Sequence, residues 1–149
     1  MKTKLIFSTM LIMLFMITGC TNREKYLNAL SNFAQQFEIE YYNVMHHTNS
    51  VTVPFNYDGD IIFASPYALG REKELSAVFG SKVAREIHEY ESPNIQNICF
   101  VSSRGEIEAI PWKNCPVWIN DLFIVKCEPG CKLEFEVKKG VLLAVKVKK

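Results

Sequence analysis

The sequence lacks the local motifs that mark the common enzyme classes. It contains no G-x-S-x-G, H-E-x-x-H, Walker or dinucleotide-binding fingerprint. Histidine is scarce, with three residues in the chain, and the adjacent pair His46-His47 lacks the i,i+4 partner that a helical metal site needs. The sequence therefore predicts no cofactor and no metal site, and it supports no particular reaction.

The sequence also lacks a strong net charge, because 17 Lys and Arg residues are balanced by 16 Asp and Glu residues. The balance changes along the chain: residues 20–112 carry 7 basic and 12 acidic side chains, whereas residues 113–149 carry 8 and 4. A Lys-rich final strand can protect a sheet edge from aggregation, or it can face charged lipid or a charged partner. Edge protection is the favoured interpretation, and nothing in the pattern indicates nucleic-acid binding.

No apolar run is long enough to span a bilayer, which requires about 20 residues. Residues 5–17 form the longest run, and it follows the short basic segment of residues 1–4. This combination is typical of a signal peptide. The run ends in Ile17-Thr18-Gly19-Cys20.

These four residues resemble the lipobox of bacterial lipoproteins, in which an aliphatic residue and two small residues precede an obligatory cysteine. The resemblance covers residues 1–20. It implies that residues 1–19 are a cleaved signal peptide and that Cys20 becomes a lipid-carrying N-terminus, with the membrane as its partner. Thr21 follows in place of the Asp that retains many lipoproteins in the inner membrane, so the resemblance favours the outer membrane, facing the periplasm. Two or three acyl chains would hold the protein firmly, whereas one chain holds it only marginally.

The remaining residues, 20–149, are enough for one domain. Apolar residues recur at helical spacing between residues 23 and 44. A second helical region is predicted over residues 65–90, with a break at Gly80-Ser81 and Ser81 available as a cap. The predicted class is α+β, an antiparallel sheet drawn mostly from the C-terminal half, with strands at 50–57, 60–64, 95–102, 106–110, 117–127, 131–138 and 140–147.

Short connections predict that consecutive strands are antiparallel neighbours. The clearest case is Asp58-Gly59, which is typical of a tight hairpin turn between the first two strands. Pro54 removes a backbone donor, so the first strand is predicted to lie at a sheet edge or to carry a bulge.

Four cysteines follow Cys20, namely Cys99, Cys115, Cys127 and Cys131. An even number in an exported protein predicts two disulfides. Three pairings are possible. The preferred one joins Cys99 to Cys115 and Cys127 to Cys131, because the second pair flanks a Pro-Gly turn.

Residues 111–118 are the segment most typical of a recognition surface, since two prolines and a predicted disulfide would stiffen it. Trp112, Lys113 and Asn114 are the candidate partner-binding residues, because tryptophan is favoured at binding hot spots. Trp118 lies between Val117 and Ile119 and is predicted to be a core residue. For Trp112 the sequence leaves the core and the surface equally open.

Compartment, size and the absence of catalytic motifs together favour a non-enzymatic, protein-binding lipoprotein, such as an inhibitor, an immunity factor or an envelope-assembly accessory. The alternative is a small cell-envelope hydrolase that acts on cell wall or lipid. A protein partner is expected, but the sequence does not identify it.

Overall fold

A computed structural model describes residues 24–44 and 48–149. The fold is α+β, as the sequence predicts, with helices near the N-terminus and two mainly antiparallel sheets. The first helix, α1, covers residues 24–44. The later elements, in chain order, are β1 (Ser50–Phe55), β2 (Gly59–Ala64), a 3-10 turn (Ala68–Gly70), α2 (Glu72–Phe79), α3 (Ser81–His88), β3 (Asn97–Val101), β4 (Ile107–Pro111), β5 (Trp118–Ile119), β6 (Leu122–Cys127), β7 (Cys131–Lys138) and β8 (Val141–Lys148).

Helix α1 buries one narrow stripe and leaves the rest of its surface in solvent. Leu30, Phe33 and Phe37 are buried, and Tyr26 and Tyr41 extend the stripe in both directions. The spacing of three and four residues keeps these side chains on one face of a helix. The predicted helix over residues 23–44 is confirmed for residues 24–44.

Two four-stranded sheets enclose the main core. Sheet A has the strand order β1-β7-β8-β5, and sheet B has the order β4-β3-β2-β6. The buried stripe of α1 and the inward side chains of both sheets form this first core. Phe33 lies at its centre, with its ring centroid 5.3 Å from Phe55 of sheet A and 6.0 Å from Phe63 of sheet B. Burial of these aromatic surfaces supplies much of the driving force that brings the helix and the sheets together.

A second core covers the other face of sheet B. Helices α2 and α3 pack there, and Leu75 and Ile87 are fully buried. The predicted break at Gly80 is confirmed, since Gly80 separates the two helices with a φ of 84°. The predicted cap by Ser81 is wrong, because Gly80 occupies the N-cap position and no side chain caps the helix.

The predicted hairpin between β1 and β2 is wrong, because the two strands belong to different sheets. Strand β1 pairs with β7, while β2 pairs with β3 and β6. Gly59 therefore turns the chain from one sheet to the other, and its φ is 143°. A Cβ atom at Gly59 would lie 2.7 Å from the carbonyl oxygen of Val101, so the crossing requires glycine.

Strand β1 lies at the edge of sheet A, which confirms the interpretation of Pro54. Two further strand predictions need correction. The strand predicted over residues 117–127 is divided into β5 and β6, which lie in different sheets. The turn over residues 128–130 likewise joins sheet B to sheet A, so β6 and β7 are not hairpin partners.

Candidate functional site

A surface groove of about 650 Å³ lies where the segment between β4 and β5 meets the turn between β7 and β8. We call it the Trp118 groove. The loop before β3 forms its third side. The groove is lined by Asn94, Ile95, Gln96, Trp112, Lys113, Cys115, Pro116, Val117, Trp118 and Gly140.

Gln96 holds the walls of this groove together. The backbone N–H of Trp112 donates to the carbonyl oxygen of Gln96 at 2.9 Å. The Gln96 side chain donates from Nε2 to the carbonyl oxygen of Val117 at 3.0 Å, and its Oε1 accepts the N–H of Ile119. The buried side-chain amide of Gln96 thus hydrogen-bonds to the backbone of Val117 and Ile119 in the way that a neighbouring β-strand would. It satisfies a carbonyl and an N–H group that would otherwise be buried without partners.

Trp112 forms the inner wall of the groove and belongs to the first core. Its side chain is 6% exposed. Its ring centroid lies 5.1 Å from that of Phe37 and 5.5 Å from that of Phe33, in edge-to-face arrangements. The question that the sequence left open is thus decided in favour of the core, and Trp112 presents little surface to a partner.

Trp118 is the exposed tryptophan, with 53% of its side chain in solvent. The prediction that Trp118 is a core residue is therefore wrong. Val117 and Ile119 on either side are buried, and side chains alternate between the two faces of an extended chain, so Trp118 must point outward. Its backbone N–H donates to the carbonyl oxygen of Gly140 at 2.7 Å, which fixes the residue at the edge of the groove.

Lys113 and Asn114 are exposed, as a partner-binding role requires. Lys113 lines the groove together with Trp118 and with Ile95, which is 36% exposed, and Asn114 is the next residue along the chain. Among the described residues that line the groove, Lys113 is the one with a charged side chain. The arrangement can therefore offer an aromatic ring, an aliphatic side chain, an ammonium group and amides to one ligand.

The four cysteines are recorded as free thiols. Cys99 belongs to the second core, while Cys115 packs against the first core, so sheet B separates them. This placement argues against the predicted Cys99–Cys115 disulfide. Burial raises the pKa of each of these two thiols to about 12.

Cys127 and Cys131, by contrast, are neighbours across the turn between β6 and β7. Burial is the main reason why the pKa of the Cys127 thiol is raised, and the interaction with the Cys131 thiol raises it further. The Cys131 thiol also donates to the carbonyl oxygen of Phe55 at 3.4 Å. The pair keeps its place as a candidate disulfide in an oxidising compartment.

If residues 1–20 direct export to an oxidising compartment, we expect the protein to contain one disulfide, Cys127–Cys131, and two free thiols, Cys99 and Cys115. Alkylation under denaturing, non-reducing conditions should label two thiols, and prior reduction should raise the number to four. In the folded protein at about pH 8, Cys99 and Cys115 should react slowly, because buried thiols with a raised pKa remain protonated. Four alkylated thiols without reduction, or a disulfide-linked peptide that joins Cys99 to Cys115, would contradict this expectation.

The other candidate residues that the sequence offers do not lie together in one site. Among residues 24–44 and 48–149, no cluster of three His, Cys, Asp or Glu residues is arranged to hold a metal ion. No helix in this part of the chain has the length and apolar character needed to cross a membrane. His88 is exposed and lies 3.3 Å from the Glu91 carboxylate. Cys20 and the pair His46-His47 lie outside the described residues.

Comparisons with known proteins provide no relative. No protein-family model matches the chain, and neither curated proteins nor solved structures give a match. Functional conclusions therefore depend on the described surface and on the resemblance of residues 1–20 to lipoprotein signal peptides.

Proposed function

We propose that the protein is a lipid-anchored, protein-binding module of the bacterial cell envelope, held through Cys20 in the outer membrane and facing the periplasm. The Trp118 groove is the partner-binding surface. Lys113 and Asn114 keep the role expected from the sequence, and Trp118 replaces Trp112 as the aromatic contact. The role is non-enzymatic, of the inhibitor, immunity or assembly-accessory type.

One observation carries this proposal: a half-exposed tryptophan is held by a buried framework. Trp118 is fixed by the bond to Gly140, and Val117 and Ile119 on either side are bound to Gln96. These bonds hold the backbone on which the Trp118 side chain is displayed, so ordering that backbone costs little entropy when a partner binds, and tryptophan is among the residues most enriched at binding hot spots.

The test is site-specific photocrosslinking in intact cells. A photoreactive residue at Asn114 should give one discrete protein adduct. The added substitution Trp118→Ala should reduce the adduct strongly, because the loss of a hot-spot tryptophan weakens binding by about 2 kcal/mol or more.

The matched control places the same photoreactive residue at Val78, which is 57% exposed on α2, beyond the second core. This position should give no adduct of the same mass. A complete absence of adducts at Asn114, or an adduct that Trp118→Ala leaves unchanged, would contradict the proposal.

A further inference from the structure

Helix α1 connects two opposite ends of the molecule. Near its start, the ring of Tyr26 stacks on Phe100 with a centroid separation of 5.7 Å and meets Tyr57 edge-on at 5.8 Å. Three helical turns later, Phe37 contacts Trp112 of the Trp118 groove. The helix therefore runs from the end that contains the 57–59 turn to the end that contains the groove.

A lipid-carrying Cys20 would place the first of these ends, which contains the 57–59 turn, near the membrane. Cys20 precedes residue 24 by four residues, and four residues span at most about 14 Å when fully extended. A lipid on Cys20 would thus hold the 57–59 end of the domain within a short distance of the bilayer surface.

A second groove, which we call the Lys126 cleft, opens at this same end. Its volume is about 450 Å³. Strand pairing sets its position, because Cys127 lies opposite Gly59 and Cys131 lies opposite Phe55. The cleft is lined by Lys126, Glu128, Pro129, Gly130, Cys131, Val147, Lys148 and Lys149.

The side chains that line the cleft have a positive excess, with three lysines and one glutamate. Two carboxylates outside the lining face these lysines: Asp60 lies opposite Lys126 in the strand ladder, and Glu134 lies 2.6 Å from the Lys148 ammonium group. A fourth lysine, Lys132, lies directly opposite Lys148.

Glu134 offsets the repulsion between the opposite lysines Lys132 and Lys148, but the named side chains still comprise four lysines and three carboxylates, so this end retains a small positive excess that favours an additional anion. The cleft also exposes apolar surface, since Pro129 is exposed and Val147 is 37% exposed. Ammonium groups beside a small apolar surface suit the boundary between lipid headgroups and acyl chains.

We infer that the Lys126 cleft is a contact surface for anionic phospholipid headgroups, and that the Trp118 groove consequently faces away from the bilayer. The inference rests on the Cys20 anchor of the proposed function. Lysines alone do not select the membrane-facing end, because Lys113, Lys138 and Lys139 lie at the other one. The membrane-facing end is identified instead by its short connection to Cys20.

Lysine footprinting of the lipidated protein in vesicles tests this inference. The reaction is reductive methylation, which keeps the positive charge of each lysine. Vesicles of phosphatidylcholine alone are compared with vesicles that contain phosphatidylglycerol. With phosphatidylglycerol, methylation of Lys126, Lys148 and Lys149 should fall by about threefold or more, and high salt should restore it. Lys113, Lys138 and Lys139 in the same molecule should react equally in both kinds of vesicle.

A charge-reversal pair provides the matched control. Lys149→Glu should reduce the protection of Lys126 and Lys148, whereas Lys82→Glu on α3 should leave it unchanged. Equal reactivity of the cleft lysines in both kinds of vesicle, or protection of Lys113 in their place, would overturn the inference. A protein that fails to float with phosphatidylcholine vesicles would instead show that the Cys20 anchor, and with it the proposed function, is wrong.

Discussion

Replacing Trp112 with alanine should lower the free energy of unfolding by about 3–5 kcal/mol, which is the range for removing a large aromatic side chain from a core. The side chain is 6% exposed and is packed edge-to-face on Phe33 and Phe37. Its removal would leave a cavity where α1 meets both sheets. A domain of this size is stable by only about 5–15 kcal/mol, so the expected loss is a large fraction of the total.

Trp118→Ala is the matched control, because the same change is made six residues away. With 53% of its side chain already in solvent, Trp118 should contribute little to stability, and the variant should unfold within about 0.5 kcal/mol of the unmodified protein. Chemical denaturation followed by far-ultraviolet circular dichroism measures both values without knowledge of any partner. A stable Trp112→Ala protein, or a strongly destabilised Trp118→Ala protein, would contradict the assignment of the two residues.

Replacing Cys20 with alanine should abolish lipid attachment and leave the uncleaved precursor to accumulate. The expected thioether forms on the cysteine sulfur, and alanine offers no atom in its place. Because each buried methylene group contributes about 0.8 kcal/mol, the loss of the acyl chains would remove nearly all of the membrane affinity of the anchor.

Metabolic labelling with a radioactive fatty acid, followed by gel electrophoresis, measures both effects at once. Cys115→Ala is the control, because it removes a cysteine outside the lipobox and should leave labelling and processing unchanged. If Cys20→Ala still incorporates the label and matures normally, the interpretation of residues 1–20 is wrong.

The parts of the fold that are predictable from the sequence are those in which local chemistry decides the outcome. The spacing of Leu30, Phe33 and Phe37 indicates a helix with one buried face, and α1 has this structure. The alternating residues of β7 give the predicted bounds 131–138 without change. Pro54 identifies an edge strand because proline lacks the donor that an interior strand needs.

Strand partners were predictable only in part: β3 and β4, and likewise β7 and β8, are antiparallel neighbours as their short connections predict, but β1 and β2 are not. Asp58-Gly59 has the composition of a hairpin turn, but a turn sequence reports only that the chain changes direction. In this fold the turn carries the chain from sheet A to sheet B, because each strand finds its partners much later in the sequence. The same limitation applies to the turn over residues 128–130.

The candidate site was only partly predictable. Lys113 lines the Trp118 groove, but Trp118 was predicted to be a core residue and is exposed, and the sequence left the placement of Trp112 open. The alternation of Val117, Trp118 and Ile119 was the available signal, because two flanking aliphatic residues on one face force the middle residue to the other. Gln96 gave no signal, since its importance depends on backbone groups more than twenty residues away.

The pairing of β1 with β7 has a consequence for how the chain folds. Ser50 pairs with Glu136 and Phe55 with Cys131, so β1 has no partner until β7, near the end of the sequence, is available for pairing. Closing so long a loop before any contact is gained slows folding, and high contact order is associated with folding in milliseconds to seconds. During this interval the apolar stripe of α1 is exposed, which is the condition under which folding chains aggregate or require chaperones.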